Sequence, residues 1–218
     1  FAECSYRLKG CRTLITGTPV RASFLSNQPL PDWVPSGDGP LIVVMGGSQG
    51  AIGLNNMVRA ITPRLLDLDC RVVHLSGEID QLSYKINHRN LAQKTFSGDI
   101  PALLQNADLA ISRAGAGALS ELALCGTPAV LVPYPQAKDK HQEANALCAA
   151  KSGAAVIVHQ HLPDNNALWD IVYNLLRARI NKQSGNEDPL VQMRNSMQSL
   201  AVSDSVNKLV EIIEEFIS

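Results

Sequence analysis

The feature of this sequence that most constrains its fold is the alternation of short apolar runs with segments of helical pattern. The apolar runs are continuous and predict strands at residues 12–16, 41–45, 71–75, 107–112, 128–133 and 154–158, with a further short one at 94–96. Helical patterns occupy residues 51–66, 79–90, 100–106, 116–125 and 140–151. Continuous apolar strands are typical of a parallel sheet that is buried on both faces. The sequence therefore predicts an α/β, Rossmann-like fold, a parallel sheet with helices on both faces.

Two further segments flank this alternation. Residues 26–40 contain four prolines and two glycines, which predicts a loop that leads into the sheet. Residues 163–218 contain no convincing strand and predict two or three helices, with Asp204 as the N-cap of the last one. We therefore expect a main domain at 26–200 and a C-terminal helix at 201–218.

Composition excludes some classes of partner. With 19 basic and 20 acidic residues the formal net charge is −1 at pH 7, so we expect no binding to nucleic acid. No apolar run approaches the roughly 18 residues of a membrane-spanning helix. The five cysteines form no CxxC pair, and we interpret them as free thiols in a reducing compartment. Because the first residue is Phe1 rather than methionine, we expect either a part of a longer protein or a processed product.

The first candidate site is the segment GGSQGA, residues 46–51, between a predicted strand and a predicted helix. Gly46 and Gly47 permit a tight turn, and Ser48 offers a hydroxyl donor and a helix cap. Ligands of parallel sheets bind beyond the carboxyl ends of the strands, where helix N-termini attract anions. The segment is neither a Walker loop nor a GxGxxG fingerprint. It predicts a phosphate site, with an ordinary strand-to-helix turn as the alternative.

The second candidate site is SRAGAGALSELALCGTP, residues 112–128. Its glycines suggest a dinucleotide site, but that fingerprint requires an acidic residue at the end of the next strand, where this sequence has PYPQAK. The acidic residue is instead Glu121, which we expect near the first turn of the helix and which could accept two ribose hydroxyls. The alternative is that Glu121 only favours the helix N-terminus electrostatically.

A third candidate site follows the next predicted strand, in PYPQAKDKHQEANA at residues 133–146. His141, Gln142 and Asn145 lie within one helical turn, and amide side chains suit sugar hydroxyls and an acetamido group. The alternative is a solvated helix start. Arg21, in TGTPVR, is a fourth candidate that could pair with a diphosphate, although a single loop arginine is usually solvated.

The sequence offers little for a metal or a covalent mechanism. His159 and His161 could lie on one side of an extended segment, but no third ligand is evident. No Ser-His-Asp or Cys-His arrangement has a supporting motif. We therefore expect neither a metal nor a cofactor.

Taken together, TGTPVR, GGSQGA, SRAGAGALSELALCGTP and DKHQEANA resemble, in order and spacing, the carboxyl-terminal, donor-binding half of the MurG family. The resemblance covers residues 16–158 with specific motifs and the helical tail more loosely. Members of this family are bacterial N-acetylglucosaminyltransferases that make lipid II. The resemblance implies one domain of a two-domain GT-B enzyme, in which UDP-N-acetylglucosamine is held mainly by the second domain. The membrane-bound acceptor, lipid I, and the catalytic base belong to the first.

The resemblance also implies a role for individual residues. Arg21 and Ser48 would contact the diphosphate, and the backbone at Ser97 would contact uracil. Glu121 would bind the ribose hydroxyls, and Gln142 the N-acetylglucosamine. The full set of implied donor-binding residues is Arg21, Gly47, Ser48, Gln49, Gly50, Ser97, Ala116, Gly117, Ala118, Leu119, Ser120, Glu121, His141 and Gln142.

Beyond the donor site, the resemblance implies that residues 1–25 are the end of an amino-terminal domain and the hinge, and that 201–218 cross back to that domain. It implies transfer of N-acetylglucosamine to lipid I with inversion, by an enzyme at the cytoplasmic face of the bacterial plasma membrane. Because nothing in the sequence makes a dedicated metal cage, we expect this transfer to be metal-independent. We expect the chain alone to bind the donor without turning over lipid I.

Two departures from the family and two alternatives stay open at this point. The family often has arginine after GGSQGA, where this sequence has Ile52 and Gly53, and a larger apolar residue at the position of Ser97. One alternative is another UDP-N-acetylglucosamine enzyme such as an epimerase. The other is a stand-alone nucleotide-sugar-binding module.

Overall fold

The computed structural model describes residues 14–47, 51–80, 86–137, 140–160, 166–181 and 188–217. Within these ranges six strands form one sheet: β1 (Leu41–Met45), β2 (Arg71–Leu75), β3 (Leu91–Lys94), β4 (Leu109–Ser112), β5 (Ala129–Leu131) and β6 (Ala155–Ile157). The helices are α1 (Ile52–Asp67), α2 (Ile100–Asn106), α3 (Ala116–Cys125), α4 (His141–Lys151), α5 (Ala167–Ile180), α6 (Pro189–Ser199) and α7 (Ser205–Ile217).

All neighbouring strands pair in parallel, in the order β3-β2-β1-β4-β5-β6. From β1 the next strands along the chain lie toward one edge, and from β4 they lie toward the other. The boundary between β1 and β4 is therefore a topological switch point, beside which ligands of such sheets bind. The predicted α/β, Rossmann-like fold is confirmed.

The core has two layers, one on each face of the sheet. In β1, Leu41, Val43 and Met45 pack with α2, α3 and α4, whereas Ile42 and Val44 pack with α1 and α5. Each fully buried aliphatic side chain contributes about 1.5–3 kcal/mol. Burial on both faces explains why the strand sequences are continuous apolar runs.

The end of α3 follows from its sequence. Gly126 has a left-handed backbone with φ of +63°, and its N–H closes the last turn on the carbonyl of Ala123 at 3.1 Å. A side chain at this position would be strained and would also overlap the side chain of Gln198. The predicted helices at 100–106 and 116–125 have these bounds in the structure.

Three predictions about the elements are wrong. Residues 14–16, the described part of the first predicted strand, are not in a strand, and Leu14 and Ile15 are nearly half exposed. The strand predicted at 94–96 is β3, which ends at Lys94. The described parts of the helix predicted at 79–90 contain no helix, and Asp80 instead forms a buried ion pair with Arg59. Residues 12, 13 and 81–85 lie outside the described ranges.

The part of the chain that the structure describes contains no helix long and apolar enough to cross a membrane.

Candidate functional site

The register of the sheet brings the carboxyl ends of its strands into one row. The paired residues in this row are Lys94, Leu75, Met45, Ser112, Leu131 and Ile157. Beside it lies a cleft of about 510 Å³, lined from the turns after β1, β3 and β4 and from α3 and α4. The cleft thus occupies the switch point at which the fold predicts a ligand.

The turn between β1 and α1 forms one wall of the cleft. Gly47 has a φ of +95°, which favours glycine, and a Cβ atom at Gly46 would lie 2.6 Å from that of Ala51. The helix begins at Ile52, and its first internal hydrogen bond runs from the N–H of Asn55 to Ala51. N–H groups earlier in the first turn have no partner within the helix, so they favour an anion. Ser48, Gln49 and Gly50 lie outside the described residues.

The opposite wall is the start of α3. Gly115 is the N-cap, and the first internal bond runs from the N–H of Leu119 to its carbonyl at 3.0 Å. Glu121 lies in the second turn rather than in the first, where we predicted it. This position corrects that prediction, and it weakens the alternative that Glu121 acts on the helix N-terminus, because that effect falls off within the first turn.

Glu121 is a half-buried carboxylate at the cleft. Burial raises its pKa above the ordinary value, and the charge of Arg21 acts in the opposite direction. Among the described residues, none forms a hydrogen bond or an ion pair with this carboxylate. A carboxylate accepts several hydrogen bonds when ionised, so Glu121 is suited to a ligand that brings hydroxyl or N–H donors.

Arg21 and Ser97 approach the cleft from two other segments. The Arg21 guanidinium carbon lies 5.3 Å from the ring centroid of Phe24, and the side chain is exposed. The Ser97 hydroxyl donates to Asp99 at 2.9 Å and accepts the N–H of Asp99 at 3.0 Å. The Ser97 side chain is therefore engaged within its own turn.

The position of Gln142 is fixed by the turn after β5. Its Oε1 accepts the N–H of Tyr134 at 2.9 Å, which also assigns the amide orientation, because a backbone N–H requires an acceptor. The Gln142 amide can therefore present its NH₂ group, a donor, to a ligand in the cleft. Asn145, one turn further along α4, donates to the carbonyl of Ala114 at 3.0 Å and so holds the start of α3 in place.

Arg113 lines the cleft and was not selected from the sequence. Its side chain is only 7% exposed. Nη1 donates to the carbonyls of Val132 and Pro133 at 2.9 and 3.2 Å, and Nη2 donates to Oε1 of Gln160 at 2.7 Å. Burial lowers its pKa. The available signal was an arginine placed directly after a buried strand, at the edge where ligands bind.

The predicted residues divide by location. Those that line the cleft are Arg21, Gly47, Ser97, Gly117, Ala118, Glu121 and Gln142. Ala116 is exposed as the first residue of α3, whereas the Leu119 side chain is fully buried in the core. Ser120 lines a second cleft of about 480 Å³, and His141 is exposed at the start of α4. No group of three or more metal-ligating side chains occurs among the described residues.

Comparisons with known proteins agree on one family. Residues 41–202 match the model of the glycosyltransferase family 28 C-terminal domain. The chain is 58% identical over 211 residues to the UDP-N-acetylglucosamine–N-acetylmuramyl-(pentapeptide) pyrophosphoryl-undecaprenol N-acetylglucosamine transferase of Synechococcus sp. strain CC9902. This match covers 97% of the chain and 59% of the relative. The protein of the same description from Prochlorococcus marinus strain MIT 9303 is 56% identical, and 58% of its length is matched.

Among solved structures, the crystal structure of Acinetobacter baumannii MurG superposes with a TM-score of 0.66 at 29% identity. This superposition covers 88% of the chain and 55% of the solved chain. The chain therefore spans somewhat more than half the length of the proteins that it matches.

Proposed function

Since the chain belongs to the glycosyltransferase family 28 C-terminal domain family, we propose that its cleft binds UDP-N-acetylglucosamine as the sugar donor of an N-acetylglucosaminyltransferase. The observation that carries the proposal is Glu121. It is a half-buried carboxylate with a raised pKa, between the N-termini of two helices and without a hydrogen bond from the described residues. A nucleotide sugar satisfies both features, because its ribose donates hydroxyl groups and its diphosphate suits helix N-termini.

The remaining contacts follow from the chemistry of each wall. In this proposal the diphosphate lies at the starts of α1 and α3, with Arg21 as a further cation. The backbone at Ser97 contacts the uracil edge, and the ribose hydroxyls donate to Glu121. The Gln142 NH₂ group donates to an oxygen of the N-acetylglucosamine.

The reaction that we propose for the whole protein is the one in the names of the relatives, and its acceptor is lipid I. An acceptor hydroxyl oxygen bonds to the anomeric carbon of the sugar while the bond from that carbon to the diphosphate oxygen breaks. The configuration inverts, the hydroxyl proton passes to a base outside this chain, and UDP leaves. Donors already oriented toward the developing diphosphate charge lower the barrier, by several kcal/mol in enzymes with comparable sites, about 2.7–4 for one donor.

The acceptor site belongs, in this proposal, to an amino-terminal domain at the cytoplasmic face of the plasma membrane. Residues 1–25 are the end of that domain and the hinge, and 201–218 contact it. Two observations support this division. The matched relative is longer, since only 59% of it is covered. In α7, Val206, Val210 and Ile213 follow one helix face and are 51%, 46% and 55% exposed.

The proposal is favoured over a dinucleotide-dependent oxidoreductase. That class places an acidic residue at the end of the strand after the glycine-rich turn, to bind the ribose. Here β5 ends at Leu131 and is followed by Val132 and Pro133, and the acidic residue is instead Glu121 in α3. An epimerase would use the same nucleotide sugar, and the family match and the names of the relatives favour the transferase.

Isothermal calorimetry of the 218-residue chain tests the donor site directly. We expect UDP-N-acetylglucosamine and UDP to bind, and NADH to produce no heat above that of dilution. The proposal would be contradicted if the chain bound NADH and bound neither UDP-N-acetylglucosamine nor UDP. Covalent addition of the remaining part of a relative should then produce transfer to lipid I, which the chain alone should not catalyse.

A further inference from the structure

Gly53, the second residue of α1, lies directly against the side chain of Gln160. A Cβ atom at Gly53 would overlap the Gln160 amide group, which follows β6 at the carboxyl edge of the sheet. The absence of a side chain at Gly53 therefore allows Gln160 to occupy its observed position. The helix is less stable for this, because glycine is a weaker helix former than alanine.

Gln160 in turn holds the guanidinium of Arg113. Its Oε1 accepts from Nη2 at 2.7 Å, while Nη1 bonds to the carbonyls of Val132 and Pro133. The guanidinium carbon lies 5.4 Å from the ring centroid of Tyr134. Arg113 thus joins the segments that follow β4, β5 and β6, and Gln160 supplies one of the three oxygen acceptors that hold the guanidinium.

The same segment after β5 positions Gln142. The N–H of Tyr134, which follows the two carbonyls bonded by Arg113, donates to Oε1 of Gln142. A displaced Arg113 would shift this segment and, with it, the orientation of the Gln142 amide. By contrast, Ser97 is held through Asp99 in the turn after β3, and the Glu121 carboxylate projects from α3. Neither Ser97 nor Glu121 takes part in the hydrogen bonds that join Gln160 to Gln142.

We propose that Gly53 and Gln160 are positioning residues that act through Arg113 and Tyr134 on Gln142, and that they set the preference of the cleft for a UDP-sugar over UDP. The inference rests on the proposed function, because it takes Gln142 as the contact to the sugar. It adds that the sugar end of the cleft is controlled from α1 and β6, separately from the uridine end.

The test measures the dissociation constants of UDP-N-acetylglucosamine and UDP for five variants by calorimetry. Gln160→Leu removes the acceptor. We expect it to raise the dissociation constant of UDP-N-acetylglucosamine about tenfold and to change that of UDP by less than about twofold. Gln160→Glu keeps an oxygen acceptor for Arg113 and should restore the preference to within about twofold of the unaltered chain.

Gly53→Ala separates positioning from stability. Alanine favours the helix, which offsets the loss of the hydrogen bond between Arg113 and Gln160, so the temperature of thermal unfolding should change little, while the new Cβ displaces Gln160 and weakens the binding of UDP-N-acetylglucosamine about fivefold. In the Gln160→Ala background the same change should have no further effect on either ligand, because the group that it displaces is already absent.

The outcomes are distinguishable. Equal weakening of both ligands in Gln160→Leu, or an additive effect of Gly53→Ala and Gln160→Ala, would overturn the inference and leave the proposed function standing. An unaltered, folded chain that binds neither uridine ligand would overturn the proposed function and the inference together.

Discussion

The carboxylates of Asp80 and Glu121 both lie near the carboxyl edge of the sheet, but their environments are opposite. The Asp80 side chain is fully excluded from water and lies 2.9 Å from Nη2 of Arg59, with the amide of Asn55 as a further donor. Asn55 also donates to the carbonyl of Ser76 at 2.8 Å and lies 3.0 Å from Nε2 of His74. Glu121, in contrast, is half exposed in the cleft and has no hydrogen bond or ion pair within the described residues.

The difference shows that one edge of a sheet can hold a carboxylate that stabilises the fold and another that is available to a ligand. The Asp80 charge is compensated, although Nε of Arg59 is buried without an acceptor in the part of the chain that the structure describes. Such a cluster fixes the segment after β2 against α1. Glu121 has no such compensation, so burial raises its pKa, and a ligand that brings donors stabilises its charge.

The largest effect is expected when the buried ion pair is broken. Arg59→Ala leaves Asp80 buried without its cation and should lower the free energy of unfolding by about 3–5 kcal/mol, measured by urea denaturation. The matched control is Arg89→Ala, because Arg89 pairs with Asp69 at the surface and is 81% exposed. The control should change by less than about 1 kcal/mol. A similar decrease in the free energy of unfolding in the two variants would contradict the view that the buried pair stabilises the fold more than the surface pair.

The second effect is a dependence of stability on pH through His74. Burial, reinforced by the charge of Arg59, lowers the pKa of His74 from its ordinary value of 6.5 to about 4. Between these pH values the unfolded chain binds more protons than the folded chain, so this contribution to stability is present above pH 6.5 and is lost as pH falls toward 4. It amounts to about 3 kcal/mol at most.

His74→Gln should remove this contribution while keeping an amide N–H for Asn55. Denaturation curves at several pH values should show that the unaltered chain loses more stability on acidification than the variant does. His141→Gln, an exposed residue of the same type, is the matched control and should behave as the unaltered chain. Parallel pH profiles for the unaltered chain and His74→Gln would refute the prediction.

The smallest effect on the fold, and a clear one on binding, is expected at the other carboxylate. Glu121→Gln should weaken the binding of UDP at least about tenfold, since hydrogen bonds to charged groups contribute about 1.5–3 kcal/mol. The variant should not lower the free energy of unfolding at neutral pH. Because burial raises the pKa of Glu121, UDP affinity should also fall as pH decreases through that pKa, and this dependence should be absent from the variant.

Glu211→Gln on the exposed side of α7 is the control for this measurement. A Glu121→Gln variant that unfolds more easily but binds UDP normally would contradict the prediction. It would show that Glu121 stabilises the fold rather than binds the ligand.

Most of the fold could be predicted because the signal is local. The apolar runs at 41–45 and 71–75 are strands with those bounds, and α2 and α3 agree with their predicted ranges. The prediction was wrong where a local pattern competed with a distant contact. Residues 79–90 carry helical spacing, but residues 79, 80 and 86–90 are not helical, and Asp80 bonds to α1 instead.

The candidate site could be predicted in part. Glycine-rich turns and Glu121 are recognisable in the sequence, because turn chemistry and strand ends are local features. Gln142 was predicted as a binding residue and lines the cleft, but the sequence did not indicate that a backbone N–H would fix its orientation. Ser48, Gln49 and Gly50 stay predictions, since they lie outside the described residues.

The sequence by itself determined the alternation of strands and helices, and therefore the edge of the sheet at which a ligand is expected. The reason is that burial on both faces of a parallel sheet requires a continuous apolar run, which one strand reveals alone. Only the tertiary structure decided which charged side chains are paired within the fold and which line the cleft. Arg113 and Gln160, 47 residues apart, contact each other because β4 and β6 are brought to the same edge, and no local pattern records that contact.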